Sequence, residues 1–464
     1  MQTECSAEPM LFARLDRRDL VADFGGGAIS SDAGALLLGA TDRAIRLVDR
    51  FAACFADGRM AQRVVHEVAT LVGQRVFGIA LGYEDLVDHD ELRRDPVLGA
   101  VLGRLEAKRP GLAPLAGKST LNRLEHAPQE GSGGAHRYHR IGHDPRAIED
   151  LFVDLFLEAH DKAPARITLD LDATDDPIHG NQEGRFFHGY YDGYCYLPLY
   201  IFCGDHLLAA KLRRANIDAS AGAVEEIARI VARIRAAWPR VKILLRADSG
   251  FAREEIMAWA GANGVKYVFG LARNARLVAQ ISGDLADAKA AAERSGQSER
   301  CFADFPWSTH DSWSRHRRVV AKAEWMPGRG EAGANPRFVV TSLDAGEIDA
   351  RTLYEKVYCA RGDMENRIKE CQLDLFADRT SAATMRANQL RLWFASMAYA
   401  LISALRRRAL AHTDLARATC GTIRAKLLKI GALVTVSVRR VRVAMASACP
   451  HAEAFRLAHR RLCR

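Results

Sequence analysis

The sequence predicts an α/β protein. It reads as an α/β core carrying a β-rich insertion, a mostly helical N-terminal region before it and a basic helical region after it. Three observations carry this reading. Residues 166–272 run strand-strand-strand-helix-strand-helix-strand, the order of an antiparallel hairpin set joined to parallel strands with helices packed on the sheet. The preceding 160 residues show the 3.6-residue spacing of buried helices. The last 64 hold 14 Lys/Arg against 2 Asp/Glu, a surplus of 12 that leaves −3 of the total +9 to the rest of the chain.

Taken in order, "FGGGAISSDAGALLLGATDRAIRLVDRF" reads as a glycine turn followed by a capped helix. In "AQRVVHEVATLVGQRVFGIALGY", Val64, Val68, Leu71, Val72, Val76 and Ile79 fall at helical intervals. "GKSTLNRLEH" resembles a phosphate loop, but the first glycine of that motif should stand at Leu112, and Gly111 is one place off. Ser119 or Thr120 is instead expected to cap a helix. A helix-turn-helix around 85–125 is weakly signalled.

"RITLDLDA" (166–173) alternates as a strand should, "GYCYLPLYIFC" (193–203) reads as a second strand, and "HLLAAKLRR" (206–214) as a third. Val224, Ile227, Val231, Ile234 and Trp238 then form one helical stripe. "VKILLRAD" (241–248) and "KYVFGLA" (266–272) are buried strands on either side of the helix "REEIMAWAGANGV". The expected division is 1–160 as a helical DNA-binding region, 161–273 with 346–404 as the core, 274–345 as the insertion and 405–464 as the basic region.

No apolar run reaches the roughly 18 residues of a membrane span, and the N-terminus lacks a signal-peptide apolar segment, so a cytoplasmic protein without a membrane partner is expected. The ten cysteines are scattered without a C-x-x-C pair, which argues against a zinc ribbon or a disulfide scaffold. The basic C-terminal region suggests a polyanionic partner, most simply nucleic acid.

The chemistry concentrates in "LDLDATDDPIHG" (169–180). Asp170 and Asp172 lie two apart on a strand and share a face. Asp248 ends the fourth strand, at the carboxyl edge where α/β sheets collect ligands. In "VYCARGDMENRIKE", Asp363 is a reasonable N-cap, which puts Glu365 in the first turn and Lys369 on its face. Carboxylates aimed at one point repel unless a divalent cation neutralises them. Oxygen-only ligands suit magnesium or manganese, and two such ions can stabilise both the attacking and the leaving oxygen of a phosphodiester. Asp172, Asp248 and Glu365 are therefore the candidate catalytic residues and metal ligands. Asp170 competes with Asp172 for the first place, and Asp172 is preferred. Asp175 and Asp176, before Pro177, read as turn formers. His179 and His188 read as loop hydrogen-bonding groups, and Tyr190, Tyr191, Tyr194 and Tyr196 as packing.

These residues resemble the DDE transposases of bacterial insertion sequences, and more narrowly the IS-four-like superfamily and its IS-thirteen-eighty group. The resemblance rests on Asp172-Ala173-Thr174, on Asp248-Ser249-Gly250-Phe251, on the Tyr358, Arg361, Glu365 spacing and on the insertion before the glutamate helix. The N-terminal "FGGGAISSDAGALLL" and "GYEDLVDHDELRRDPVL" are similar as well, so it spans nearly the whole chain. It implies a ribonuclease-H-like fold, two Mg2+ (or Mn2+) ions, and cut-and-paste cleavage and strand transfer, often through a hairpin in this superfamily. Its implied partners are double-stranded DNA, as terminal inverted repeats and as target, and a second copy of the chain in the DNA complex. By analogy Tyr358 and Arg361 hold the DNA backbone, arginine being suited to bidentate phosphate contacts. Lys369 is a further DNA contact, although the family's lysine falls seven residues after the glutamate, where this chain has Gln372. Trp325, with Trp307 and Trp313, is a candidate for stacking on an extruded base. Two other readings compete: a ribonuclease-H-like nuclease without joining activity, and a non-catalytic DNA-binding protein derived from a transposase.

Overall fold

A computed structural model describes residues 9–109, 111–126, 140–310, 312–328 and 330–463. Arg464 of the basic region and the first eight residues of the N-terminus lie outside them. The chain divides into two compact units. One comprises 145–373 and 377–393; the other comprises 1–144, 374–376 and 394–464.

The first unit is built on one eight-stranded sheet. In chain order its strands are β1 (Arg166–Ala173), β2 (Leu199–Cys203), β3 (His206–Lys211), β4 (Lys242–Ala247), β5 (Lys266–Leu271), β6 (Glu299–Trp307), β7 (Arg317–Trp325) and β8 (Arg337–Thr341). Across the sheet they run β3-β2-β1-β4-β5-β8-β7-β6. β1, β4 and β5 are parallel, β2 is antiparallel to β1, and β8 is antiparallel to β5.

Alternation decides what each face carries. Ile167, Leu169 and Leu171 of β1, with Leu245 and Ala247 of β4, point into the larger core. That core is closed by the helices α1 (Pro145–Glu158), α2 (Ala223–Ala237) and α3 (Glu254–Ala262). Helix α2 shows why such a segment folds as it does. Gly222 takes φ 73° at its N-cap, Glu225 and Glu226 favour the positive end of its dipole, and Ile227, Ile230, Val231 and Ile234 bury one stripe. Each of those side chains contributes about 1.5–3 kcal/mol, and Ile234→Ala would cost about 2–5 kcal/mol.

The opposite face holds a smaller core of Leu244, Val268, Val320, Val339, Leu353 and Tyr354. Here the helical run from Ala350 packs on the sheet. Asp170, Asp172 and Arg246, one residue out of phase with the larger core, share this face.

Several expectations are corrected. Residues 193–203 are two strands: Pro198 has no N–H to donate, so Gly193–Tyr196 pairs with Asp176–Pro177 and Phe186–His188 in a separate small sheet, and only 199–203 joins the main one. The strands within 274–345 prolong the main sheet beyond β5, because β8 hydrogen-bonds directly to it. Asp176 is not an exposed turn former but a fully buried strand residue.

The second unit is largely helical, with Ala35–Ile45, Leu47–Ala53, Val68–Leu81 and the later part of a helix spanning Met385–Ala409. Arg75 and Glu125 form a buried ion pair at 2.9 Å. Gly117, not Ser119 or Thr120, stands at the cap of the Lys118–Glu125 helix. Around 85–125 the helices His89–Leu92 and Pro96–Val101 are too short, and 102–117 too long a connection, for a helix-turn-helix.

The basic region is not wholly helical. "ALVTVS" and "RVRVAM" form an antiparallel hairpin, Ala432–Ser437 with Arg440–Met445, edged by Ile29–Ser30. Alternating β-branched residues favour the strand period there. No helix among the described residues is long and apolar enough to cross a membrane.

Candidate active site

The site lies at the carboxyl ends of β1 and β4. Asp170 and Asp172 face the same way but sit in different surroundings. Asp170 is paired in register with Arg246 of β4, and the guanidinium grips it twice, Nε to Oδ1 at 2.5 Å and Nη2 to Oδ2 at 2.8 Å. The remaining Arg246 nitrogen, Nη1, donates to the carbonyl of Val357 at 2.6 Å. Arg246 thus ties the first strand to the helical run that carries Tyr358, Arg361 and Glu365, and Asp170 is a brace.

Asp172, two residues on, has no such dedicated cation. Its Oδ1 accepts the N–H of Ala173 at 2.9 Å, and its Oδ2 lies 3.5 Å from Nη1 of Arg361. Nη2 of the same guanidinium pairs with Oε1 of Glu365 at 2.7 Å. Burial pushes the Asp172 carboxyl from an ordinary 3.8 up to about 7; Arg361 opposes this, and the negative charges of Asp248 and Glu365 add to it. One arginine therefore answers three carboxylates. Asp248 is held at the end of β4 by the N–H of Gly250, which donates to its Oδ1 at 2.9 Å and opens a single 3-10 turn at Ser249–Phe251.

Tyr358 and Arg361 arrive on an unusual helix. Leu353–Tyr358 has the wide turns of a π-helix, Cys359–Arg361 tightens to 3-10, and Gly362–Lys369 is regular. Such π segments occur often at functional sites. Asp363 is therefore inside a continuous helical run and not at its N-cap. Lys369 is exposed at the end of that helix. Gln372 turns away to donate to the Asp175 carbonyl and to Oδ1 of Asp176, both at 3.0 Å. Burial holds Asp176 well above the usual carboxylate range.

Trp325 ends β7 at the same sheet edge as Asp248, because β7 and β8 both run antiparallel to their neighbours. Its ring faces Lys289 at 5.0 Å. Trp307 is buried in the core beneath Arg276. His188 lies tilted against Tyr191 at 4.9 Å, Tyr196 is buried, and Tyr190, though 86% exposed, packs edge-on against Tyr191 at 5.0 Å. Among the described residues no three His, Cys, Asp or Glu side chains form a ready-made metal cage, and the cysteines are free.

Two participants escaped the sequence. Arg246 is signalled only by its parity with Asp170. Gly270, in "KYVFGLA", is a glycine inside a strand, which often marks a close approach. A Cβ there would lie 2.6 Å from the Tyr358 hydroxyl and 2.9 Å from the Ser249 nitrogen.

No curated protein matches the chain. Among solved structures it has a slight likeness to a piggyBac transposase synaptic complex with hairpin DNA, at 11% identity and TM-score 0.41, over 86% of this chain and 79% of that one. A likeness that slight carries no argument. The family described as transposase DDE domain group 1 matches residues 12–464, almost the whole sequence, and the chain belongs to that family of DDE transposases.

Proposed function

We propose that this DDE transposase binds the terminal inverted repeats of a bacterial insertion sequence of the IS-four-like superfamily, IS-thirteen-eighty group, and cleaves and joins its ends on a ribonuclease-H-like core. Asp172, Asp248 and Glu365 are the catalytic carboxylates in this reading. The observation that carries it is Asp172: half-buried at a strand end, within the electrostatic reach of Asp248 and Glu365, and raised to about 7 although Arg361 pairs with it.

The donor set fits a hard divalent cation, since it offers carboxylate oxygen and no sulfur. Asp172 and Asp248 would hold one magnesium or manganese ion and Asp172 with Glu365 a second; when bound, these ions neutralise charge and make water or a 3′-hydroxyl a better nucleophile. Arg361 pairs with both Asp172 and Glu365; a cation bound there would take over those carboxylates and leave the guanidinium to a DNA phosphate. Tyr358, pushed up by burial and close to Asp248, stays a neutral donor beside the backbone. Lys369, exposed, and Trp325, on the same sheet edge, extend the DNA contact. Two copies bring two ends together, and a hairpin intermediate is compatible with the same chemistry.

Asp248→Ala is the direct test. Magnesium-dependent cleavage of duplexes ending in the DNA that flanks the coding region should fall by at least about 3 kcal/mol, or about a hundredfold. Affinity for the duplex should stay within a few fold. Cleavage equal to the parent's would remove the catalytic assignment.

A further inference from the structure

Beside the carboxylates, and not used by them, is a cavity of about 440 Å³ lined by Ser249, Gly270, Arg273, Arg337, Tyr354 and Tyr358, with Leu271, Ala272, Pro336 and Phe338 completing it. It opens between the end of β5 and the start of β8. The antiparallel pair Leu271↔Phe338 brings Arg273 and Arg337 onto neighbouring strand ends. Both arginines are exposed, and among the described residues neither forms an ion pair. No lining residue is acidic.

Arg229, Arg233 and Arg246, elsewhere in the same unit, are by contrast each matched with a carboxylate. The floor is equally specific. Gly270 has no side chain, and the space is shared by the Tyr358 hydroxyl and the Ser249 N–H. Ser249 follows Asp248 directly, so whatever enters touches the residue next to a candidate ligand.

We propose that this cavity is a phosphate clamp: Arg273 and Arg337 hold one backbone phosphodiester of the DNA strand whose neighbouring phosphate lies at Asp172 and Asp248. The proposal rests on the reading of those carboxylates as the cleavage site. Two guanidinium groups without a competing acid suit a phosphate, which each can grip with two parallel N–H donors. The volume suits a single phosphate with its sugar, so one backbone unit of the strand occupies it. Tyr354 and Phe338 supply an apolar wall for the sugar. The clamp therefore sets where along the strand the reacting phosphate comes to rest.

The experiment measures binding of the full chain to a short fluorescein-labelled DNA duplex across a salt series, in chelator, so that no cleavage is involved. In the Arg273→Ala/Arg337→Ala double variant, the slope of log affinity against log salt should fall by about 0.9, the share of the one phosphate that the two arginines together neutralise. Arg273→Lys/Arg337→Lys should restore it, because the charge returns. Arg166→Ala/Arg240→Ala, at the amino ends of β1 and β4, should leave it unchanged. An unchanged slope in the first variant overturns the clamp. So does an equal fall in the Arg166/Arg240 control, which would mean diffuse charge, or a fall that lysine does not reverse, which would mean a damaged fold. If Asp248→Ala cleaves as the parent does, the catalytic reading fails separately, whatever the slope shows.

Discussion

Two clusters of charge in the same unit are built on opposite rules. Between α1 and α2, Glu149, Asp150, Asp154 and Glu226 are met by Arg146, Lys211, Arg229 and Arg233, four acids against four bases. Burial alone would raise Glu226, yet the Lys211 hydrogen bond and the Arg229 charge hold it below its ordinary value. At the end of β1, Arg361 pairs with both Asp172 and Glu365 and feels the charge of Asp248, and burial wins at Asp172. The first cluster gives every acid a basic partner across two helices, although burial and the charge of Glu226 still raise Glu149. The second is left short of positive charge, which is what a site for cations requires before they arrive.

The largest expected difference between the two is in stability. Arg229→Ala removes the buried cation at the centre of the cluster, leaving Glu226 to Lys211 alone, and should cost about 3–5 kcal/mol by denaturant unfolding. Asp170→Ala should cost a similar amount by stranding Arg246. Asp172→Asn should cost nothing in chelator, because it removes a repelled charge. A loss as large as that of Asp170→Ala would erase the contrast.

A somewhat smaller effect follows from pH. A carboxyl whose folded value is raised contributes stability that is present below its unfolded value, 3.8, and lost as pH rises to about 7. In chelator the parent should therefore lose roughly 2–4 kcal/mol over that interval relative to Asp172→Asn. Parallel pH curves for the two proteins would show that Asp172 is not held as described. Magnesium should then give part of this back. At ten times its dissociation constant it should stabilise the parent by about 1.4 kcal/mol, and Asp172→Asn/Asp248→Asn by nothing. Equal gains would place the ion elsewhere.

The smallest effect concerns the basic region. Its Leu405, Leu410, Ile423, Leu427 and Leu428 are core, so deleting it would unfold the second unit. Replacing the exposed hairpin residues Arg439, Arg440 and Arg442 with alanine should instead flatten the salt slope of DNA binding by up to about 0.9 for each phosphate they neutralise. A slope equal to the parent's would mean that the hairpin does not touch DNA.

Much of this was legible from residues alone. The five strands from 166 to 271 follow from alternation and β-branched runs, and the carboxylates follow from acids placed where strands end. What was not legible depends on partners distant in sequence. That Asp170 is bound in an ion pair while Asp172 is not so gripped depends on Arg246, 76 residues away from Asp170. Asp176 reads as a turn former until Gln372, 196 residues on, is seen to bond it in a buried strand. Pro198 could have announced the break in 193–203, because proline cannot donate to a ladder. The hairpin at 432–445 was hidden by its charge, since arginines on the exposed face of a strand look like a solvated tail.

The wide turns at Leu353–Tyr358 have a consequence for inheritance. The passage from wide turns at Leu353–Tyr358 to tight ones at Cys359–Arg361 sets where the Val357 carbonyl meets Arg246. The anchorage thus depends on how many residues the segment contains, not on which ones. Loss of the Lys356 codon would keep every acid, Tyr358 and Arg361 in the gene while releasing the helix from its strand. Such a copy would pass as intact by its motifs and be silent in the cell, and assaying cleavage by a variant lacking Lys356 would reveal it.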